Sequence, residues 1–160
     1  MSGIGMVHFA AGWLALGTGL TNLLLTKGTR RHRAVGYLFV FSMLLMNFVA
    51  LSLYNLTGHF NMFHMLALVS LVVTVAGMAP LVRRRPGWIR RHATQMQWAY
   101  IGLCAAAANE ILTREVLHRV PTTMHGFWAL SLTVSLLVIV GGAWLARRQR
   151  LENGWTGMSA

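Results

Sequence analysis

The sequence is poor in acidic residues and contains no aspartate. Its only carboxylate side chains are Glu110, Glu115 and Glu152, against fourteen lysines and arginines, so the formal net charge is +11. The lack of aspartate excludes a Ser–His–Asp triad, although a triad completed by glutamate is not excluded. Charged residues make up 11% of the chain, whereas soluble proteins carry roughly 25%. This composition is typical of a membrane protein.

Cysteine is equally scarce, since Cys104 is the only one in the chain. A single thiol excludes an intramolecular disulfide and any zinc finger built from cysteines. Because Cys104 lies in an alanine-rich apolar run with no cationic neighbour, we interpret it as a buried structural thiol rather than a reactive one.

Five long apolar runs dominate what is present, and each approaches the ~20 residues needed to cross a bilayer. In lipid each run must form an α-helix, because only then are its backbone polar groups satisfied internally. We therefore predict an all-α polytopic membrane protein, with one compact bundle over residues 1–150 and a flexible cytoplasmic tail over 151–160. The five predicted spans are residues 4–26, 34–56, 61–82, 93–113 and 122–146.

The distribution of lysine and arginine predicts the orientation of these spans. Twelve of the fourteen follow the first, third or fifth span, and only Arg114 and Arg119 lie on the opposite side. Since basic loops stay in the cytoplasm, we expect the N-terminus outside and the C-terminus inside. Nucleic-acid binding is not expected, because these arginines flank helix ends and are not interleaved with aromatic residues.

Small and polar residues mark one face of the first span, at steps of four and three residues. They are His8, Gly12, Ala15, Gly19 and Asn22. Such a face favours close packing against a neighbouring helix. In the second span, Asn47 lies near mid-membrane, and we predict that it points into the bundle and hydrogen-bonds to a neighbour.

Four ionisable side chains lie at the predicted outer ends of different spans: His8, His64, Glu110 and His125. Such groups are costly in lipid and often mark a functional site. Three imidazoles and a carboxylate form a suitable ligand set for a divalent transition metal such as zinc or copper. Glu110 would be the fourth ligand, or the catalytic base for a metal-bound water. This predicts a metal-dependent hydrolase or a metal-handling factor.

A simpler interpretation places the same histidines at the membrane interface without any metal. Glu110 then pairs with Arg114, four residues later on the same helix face. His59 and His118, in the flanking loops, are further candidate ligands that the spacing does not decide.

A second pair of histidines, His32 and His92, begins the second and fourth spans on the predicted cytoplasmic side. Two histidines from different helices at one depth are the minimum for a low-spin haem b, and Gly36 would leave room for the porphyrin. The alternative function is therefore a b-type cytochrome that carries electrons. Without a cofactor, both residues are helix-start residues on a basic surface that faces lipid headgroups.

Several of these motifs together resemble the bacterial predicted membrane-protein family catalogued as domain of unknown function 2306. The motifs are His8 with Gly12, the Lys27-Gly28-Thr29-Arg30-Arg31-His32-Arg33 string with Gly36 and Tyr37, Phe63-His64, Arg91-His92 with Met96, Tyr100 with Gly102, and Ala106-Ala107-Ala108-Asn109-Glu110-Ile111 with Arg114. The resemblance implies a small multi-pass protein of the bacterial inner membrane and implies no established activity.

A third functional class is a cofactor-free accessory subunit. Five spans with small-residue faces suit packing against partners, and 160 residues are few for a transporter that does not oligomerise. The expected partners are the lipid bilayer and either further copies of the chain or a larger membrane complex. The residues alone do not decide whether the protein is an enzyme.

Overall fold

The computed structural model describes residues 3–54, 58–115 and 124–152, and within these ranges it contains helices and no strand. Residues from 153 onward, which include most of the predicted tail, lie outside this description, as does His118. The helices are α1 Gly3–Leu24, α2 Arg30–Ala50, α3 Met62–Arg83, α4 Trp88–Glu115 and α5 Met124–Glu152.

Four of these helices, α1, α2, α3 and α5, are long and apolar enough to cross a membrane. The helix α4 is long enough, at 28 residues, but it carries arginines and glutamines near its start and Asn109 and Glu110 near its end. The prediction of an all-α membrane protein is therefore confirmed. The number of crossings and their orientation stay predictions.

The helix boundaries differ from the predicted spans where local capping decides them. The helix α2 begins at Arg30 rather than at residue 34, because the Thr29 side chain accepts a hydrogen bond from the backbone N–H of His32 at 3.1 Å. This is the usual role of threonine at a helix N-cap. At the end of α1, the Lys27 ammonium donates to the carbonyl of Asn22 at 2.8 Å. Burial lowers the pKa of Lys27.

The chain forms two compact units, Met1–Ala99 and Tyr100–Ala160. In the first unit, α2 packs against both α1 and α3. The small residues Ala11, Ala15 and Gly19 of α1 are buried. A Cβ added to Gly12 would lie 3.5 Å from the sulfur of Met46 on α2, so the predicted small-residue face of the first helix is a packing face.

A polar contact links α2 and α3 inside this unit. Asn47 is 2% exposed, and its Nδ2 donates to the hydroxyl of Ser70 at 3.1 Å. The buried hydroxyls of Ser42 and Thr74 donate instead to carbonyls of their own helices. The predicted inward orientation of Asn47 and its hydrogen bond to a neighbouring helix are confirmed.

In the second unit, the later part of α4 contacts α5 through another asparagine. The side-chain nitrogen of Asn109 donates to the hydroxyl of Ser135 at 2.5 Å and to the carbonyl of Ala105 at 3.0 Å. A Cβ added to Gly142 would lie 2.9 Å from Ile101. Close approach of the two helices therefore requires glycine at this position.

We expect the hydrogen bond between Asn47 and Ser70 to stabilise the first unit by about 0.6 kcal/mol, and at most about 1.7 kcal/mol, as interhelical hydrogen bonds in membranes do. The measurement is a double-mutant cycle with Asn47→Ala and Ser70→Ala, followed by unfolding in mixed micelles. A second cycle that combines Asn47→Ala with Thr18→Ala is the control. It should give no coupling energy, since the Thr18 hydroxyl donates only within its own helix. A coupling energy of zero would contradict the contact.

Candidate functional site

Two predicted ligands, His32 and His92, lie in a group of polar residues that we call the inner cluster. The cluster consists of Asn22 near the end of α1, His32 near the start of α2, and His92 and Gln95 near the start of α4. All of these residues belong to the first compact unit. The structure thus brings together the ends of helices that are distant in sequence.

The ring of His92 is held by the backbone of α3. Its Nδ1 lies 2.7 Å from the carbonyl oxygen of Gly77. A carbonyl only accepts hydrogen bonds, so Nδ1 carries the proton, and Nε2 of the neutral ring keeps its lone pair. Met96 packs directly against Gly77. A Cβ at Gly77 would overlap the Met96 methyl group, so this contact requires glycine.

The ring of His32 is also held by a backbone group, in this case at the end of α1. A hydrogen bond links it to the backbone of Asn22, and Lys27 and His92 both lie near enough to act on its charge, Lys27 more strongly. Its Nδ1 is buried and has no hydrogen-bond partner, which makes Nδ1 the lone-pair nitrogen of the neutral ring. A histidine that donates one N–H to a carbonyl and presents the other nitrogen is the form that binds metals.

Two amide oxygens of the inner cluster are also buried without a partner, Oδ1 of Asn22 and Oε1 of Gln95. Native proteins satisfy nearly all such atoms, so each one calls for a ligand, a water or an ion. A Cβ at Gly36 would lie 3.1 Å from Nδ2 of Asn22. The space beside Gly36 is therefore filled by this amide rather than left open for a porphyrin.

The predicted outer residues divide between the two units. In the first unit, Nδ1 of His8 lies 3.1 Å from the carbonyl oxygen of Met46, which leaves Nε2 as its lone-pair nitrogen. Glu110 lies on α4 within the second unit and takes part in an interaction of its own. His125 lies at the start of α5, and its side chain lies outside the described residues.

Among the histidines whose side chains the structure describes, His64 is the most deeply buried, at 2% exposed. It belongs to the capping box of α3, where its Nδ1 accepts the backbone N–H of Asn61 at 3.2 Å. The ring stacks on that of Tyr54, with 4.7 Å between the ring centroids, and its centroid lies 5.1 Å from that of the Phe60 ring. Because Nδ1 accepts, the neutral ring carries its proton on Nε2, and this buried Nε2 has no hydrogen-bond partner.

Among the residues whose side chains are described, no group of three or more His, Cys, Asp or Glu is arranged to hold a metal ion. Sequence reasoning did not single out Gln95 or the carbonyl of Gly77. Gln95 had a signal, since it follows His92 by about one helical turn. No sequence signal marks the carbonyl of Gly77, because every residue has a backbone carbonyl and the residue type does not show which one accepts a hydrogen bond.

Four helices that are long and apolar enough to cross a membrane, with polar groups clustered at helix ends, define a helical membrane protein. The chain belongs to the predicted membrane protein family DUF2306, whose family model matches residues 5–148. The resemblance inferred from the motifs is therefore confirmed. No curated protein and no solved structure matches the chain.

Proposed function

We propose that the protein is a b-type membrane cytochrome that binds haem through His32 and His92. The observation that carries the proposal is the pair of rings. Each ring is anchored to a backbone carbonyl, and each presents its other nitrogen as a lone pair. Two imidazoles are the ligands that low-spin haem b takes from its protein, since the porphyrin supplies the other four. Bound haem b would supply a one-electron redox couple at the cytoplasmic surface.

Charge near the inner cluster supports the same proposal. The first 99 residues contain nine lysines and arginines and no acidic residue. Arg31 and Arg33 flank His32, and Arg91 precedes His92. Such cations pair favourably with carboxylates such as the haem propionates. The Asn22 amide, which fills the space beside Gly36, would have to be displaced or to contact the porphyrin edge.

A metal site formed by His8, His64, Glu110 and His125 is the second candidate function. It is supported by the chemistry of its donor set, three imidazoles and a carboxylate, and by His8, whose Nδ1 donates to the carbonyl of Met46 and fixes the ring. His64 supports it less, because its Nδ1 already accepts a backbone hydrogen bond, so its Nε2 must lose a proton before it binds a metal. In this proposal Glu110 is the fourth ligand or the general base, and the ion is zinc or copper.

We further propose that all five helices cross the bacterial inner membrane, with the N-terminus outside. At 28 residues and about 1.5 Å per residue, α4 is long enough to cross. If α4 did not cross, the direction of α5 would reverse. The basic residues Arg147, Arg148 and Arg150 would then lie outside, against the positive-inside rule.

For the haem proposal, we expect protein purified in mild detergent to show a Soret band with about one equivalent of iron. His32→Ala and His92→Ala should each abolish low-spin haem binding, because each removes one axial ligand. His59→Ala is the matched control in an exposed position. Variants are compared only where circular dichroism shows unchanged helicity. Haem retained in both variants, or absent from haem-supplied wild type, would refute the proposal.

For the metal proposal, the same preparations are measured for zinc and copper. About one equivalent of metal without a Soret band, lost in His8→Ala and in Glu110→Gln but kept in His32→Ala, which lies outside this set, is the expected result. Metal that persists after His8, His64, Glu110 and His125 are all replaced would exclude the site. A protein without metal and haem, after expression with both supplied, would favour the cofactor-free accessory subunit.

For the topology, single cysteines are introduced into a Cys104→Ala background and labelled with an impermeant maleimide in spheroplasts. We expect His59→Cys to react from outside, and Thr26→Cys and Pro86→Cys to react only after permeabilisation, since all three residues are exposed between helices. Ser159→Cys decides whether α4 crosses, since five crossings place it inside. Labelling of Ser159→Cys in intact spheroplasts would mean that α4 does not cross.

A further inference from the structure

A groove of about 270 Å³ lies in the first compact unit, between the end of α3 and the start of α4. We propose that it binds an anionic glycerophospholipid whose headgroup carries hydroxyl groups, of which phosphatidylglycerol is the simplest. The proposal does not rest on the proposed haem site, because it needs neither His32 nor His92, although Arg91 and Gln95 belong to both surroundings.

One end of the groove is strongly basic. Arg83, Arg85 and Arg91 line it. No acidic residue precedes Glu110 in the sequence, so these guanidinium groups have no carboxylate partner within their own unit. Arginine binds phosphate oxygens through paired hydrogen bonds. The missing counter-anion must come from outside this unit, and phosphate at a membrane surface is abundant there.

The opposite wall of the groove is apolar and belongs to the membrane-spanning part of α3. It is formed by Ala76, Ala79 and Pro80, which have small side chains. Trp88 lines the groove near its basic end, and tryptophan is enriched at the level of lipid headgroups. An apolar wall that leads into a basic end fits an amphiphile rather than a free anion.

The polar residue among the groove-lining side chains favours a headgroup that also donates hydrogen bonds. Gln95 lines the groove, and its Oε1 has no hydrogen-bond partner. An amide both donates to a phosphate oxygen and accepts from a hydroxyl. A glycerol headgroup offers such hydroxyls, whereas a choline headgroup has no donor to offer.

The connection between α3 and α4 holds the arginines in this arrangement. Arg84 ends α3 in the left-handed conformation, with φ of 41°, and its N–H donates to the carbonyl of Pro80 at 2.9 Å. Gly87, with φ of 74°, completes the turn into α4. Arg84 and Arg90 belong to the same basic segment but do not line the groove, which provides matched controls.

The test compares two double variants of equal charge, Arg85→Gln with Arg91→Gln and Arg84→Gln with Arg90→Gln. Lipid binding is measured on the full chain in detergent by native mass spectrometry and by the shift in melting temperature. Wild type and the Arg84/Arg90 variant should retain phosphatidylglycerol in preference to phosphatidylcholine. The Arg85/Arg91 variant should bind it roughly twentyfold more weakly, since each basic residue at a surface contributes about fivefold.

Two further arms keep the test decisive. Ala79→Leu fills the apolar wall without a change in charge and should also reduce phosphatidylglycerol retention. Inorganic phosphate alone, added at millimolar concentration, should produce no comparable stabilisation. If both double variants weakened phosphatidylglycerol binding equally, the binding would depend on overall surface charge and not on the groove. Full stabilisation by inorganic phosphate would show an anion site rather than a lipid site. Either result, or no preference for phosphatidylglycerol in wild type, would overturn the proposal.

Discussion

Within the first compact unit, histidine rings hold their protons where backbone carbonyls accept them. His92 donates to the carbonyl of Gly77, and His8 donates to the carbonyl of Met46. In an apolar environment a polar atom without a partner is costly, so these bonds decide which nitrogen of each neutral ring carries the proton. His64 shows the reverse case, because its Nδ1 accepts a backbone N–H at the start of α3. The chemistry open to each histidine therefore follows from the helix end beside it.

This constraint explains why the inner cluster carries the haem proposal better than the outer residues carry the metal proposal. His32 and His92 are close enough to interact electrostatically, and the neutral form of each ring has a lone-pair nitrogen. Haem b requires only two ligands from the protein. An ion held by side chains alone usually needs three or more. The outer set depends on His64, whose available nitrogen bears a proton, and on residues of the second unit.

Charge asymmetry is the other organising feature of the first unit. This unit contains nine lysines and arginines and no acidic residue, since the first acidic residue of the chain is Glu110. In the two proposals these arginines take partners from their surroundings, either haem propionates near His32 and His92 or lipid phosphates in the groove lined by Arg85 and Arg91. The proposals share Arg91 and Gln95, but the first depends on His32 and His92 and the second on Arg85, so they can fail separately.

The sequence by itself determined the all-α membrane class, the packing face of α1 and the inward position of Asn47, because hydropathy and helical period depend only on residue order. It also predicted that His32 and His92 lie at one depth. Only the tertiary structure decided their tautomers, the capping role of His64 and the unpartnered oxygens of Asn22 and Gln95. Those properties depend on backbone atoms of distant segments, and a backbone carbonyl has the same chemistry whatever residue carries it.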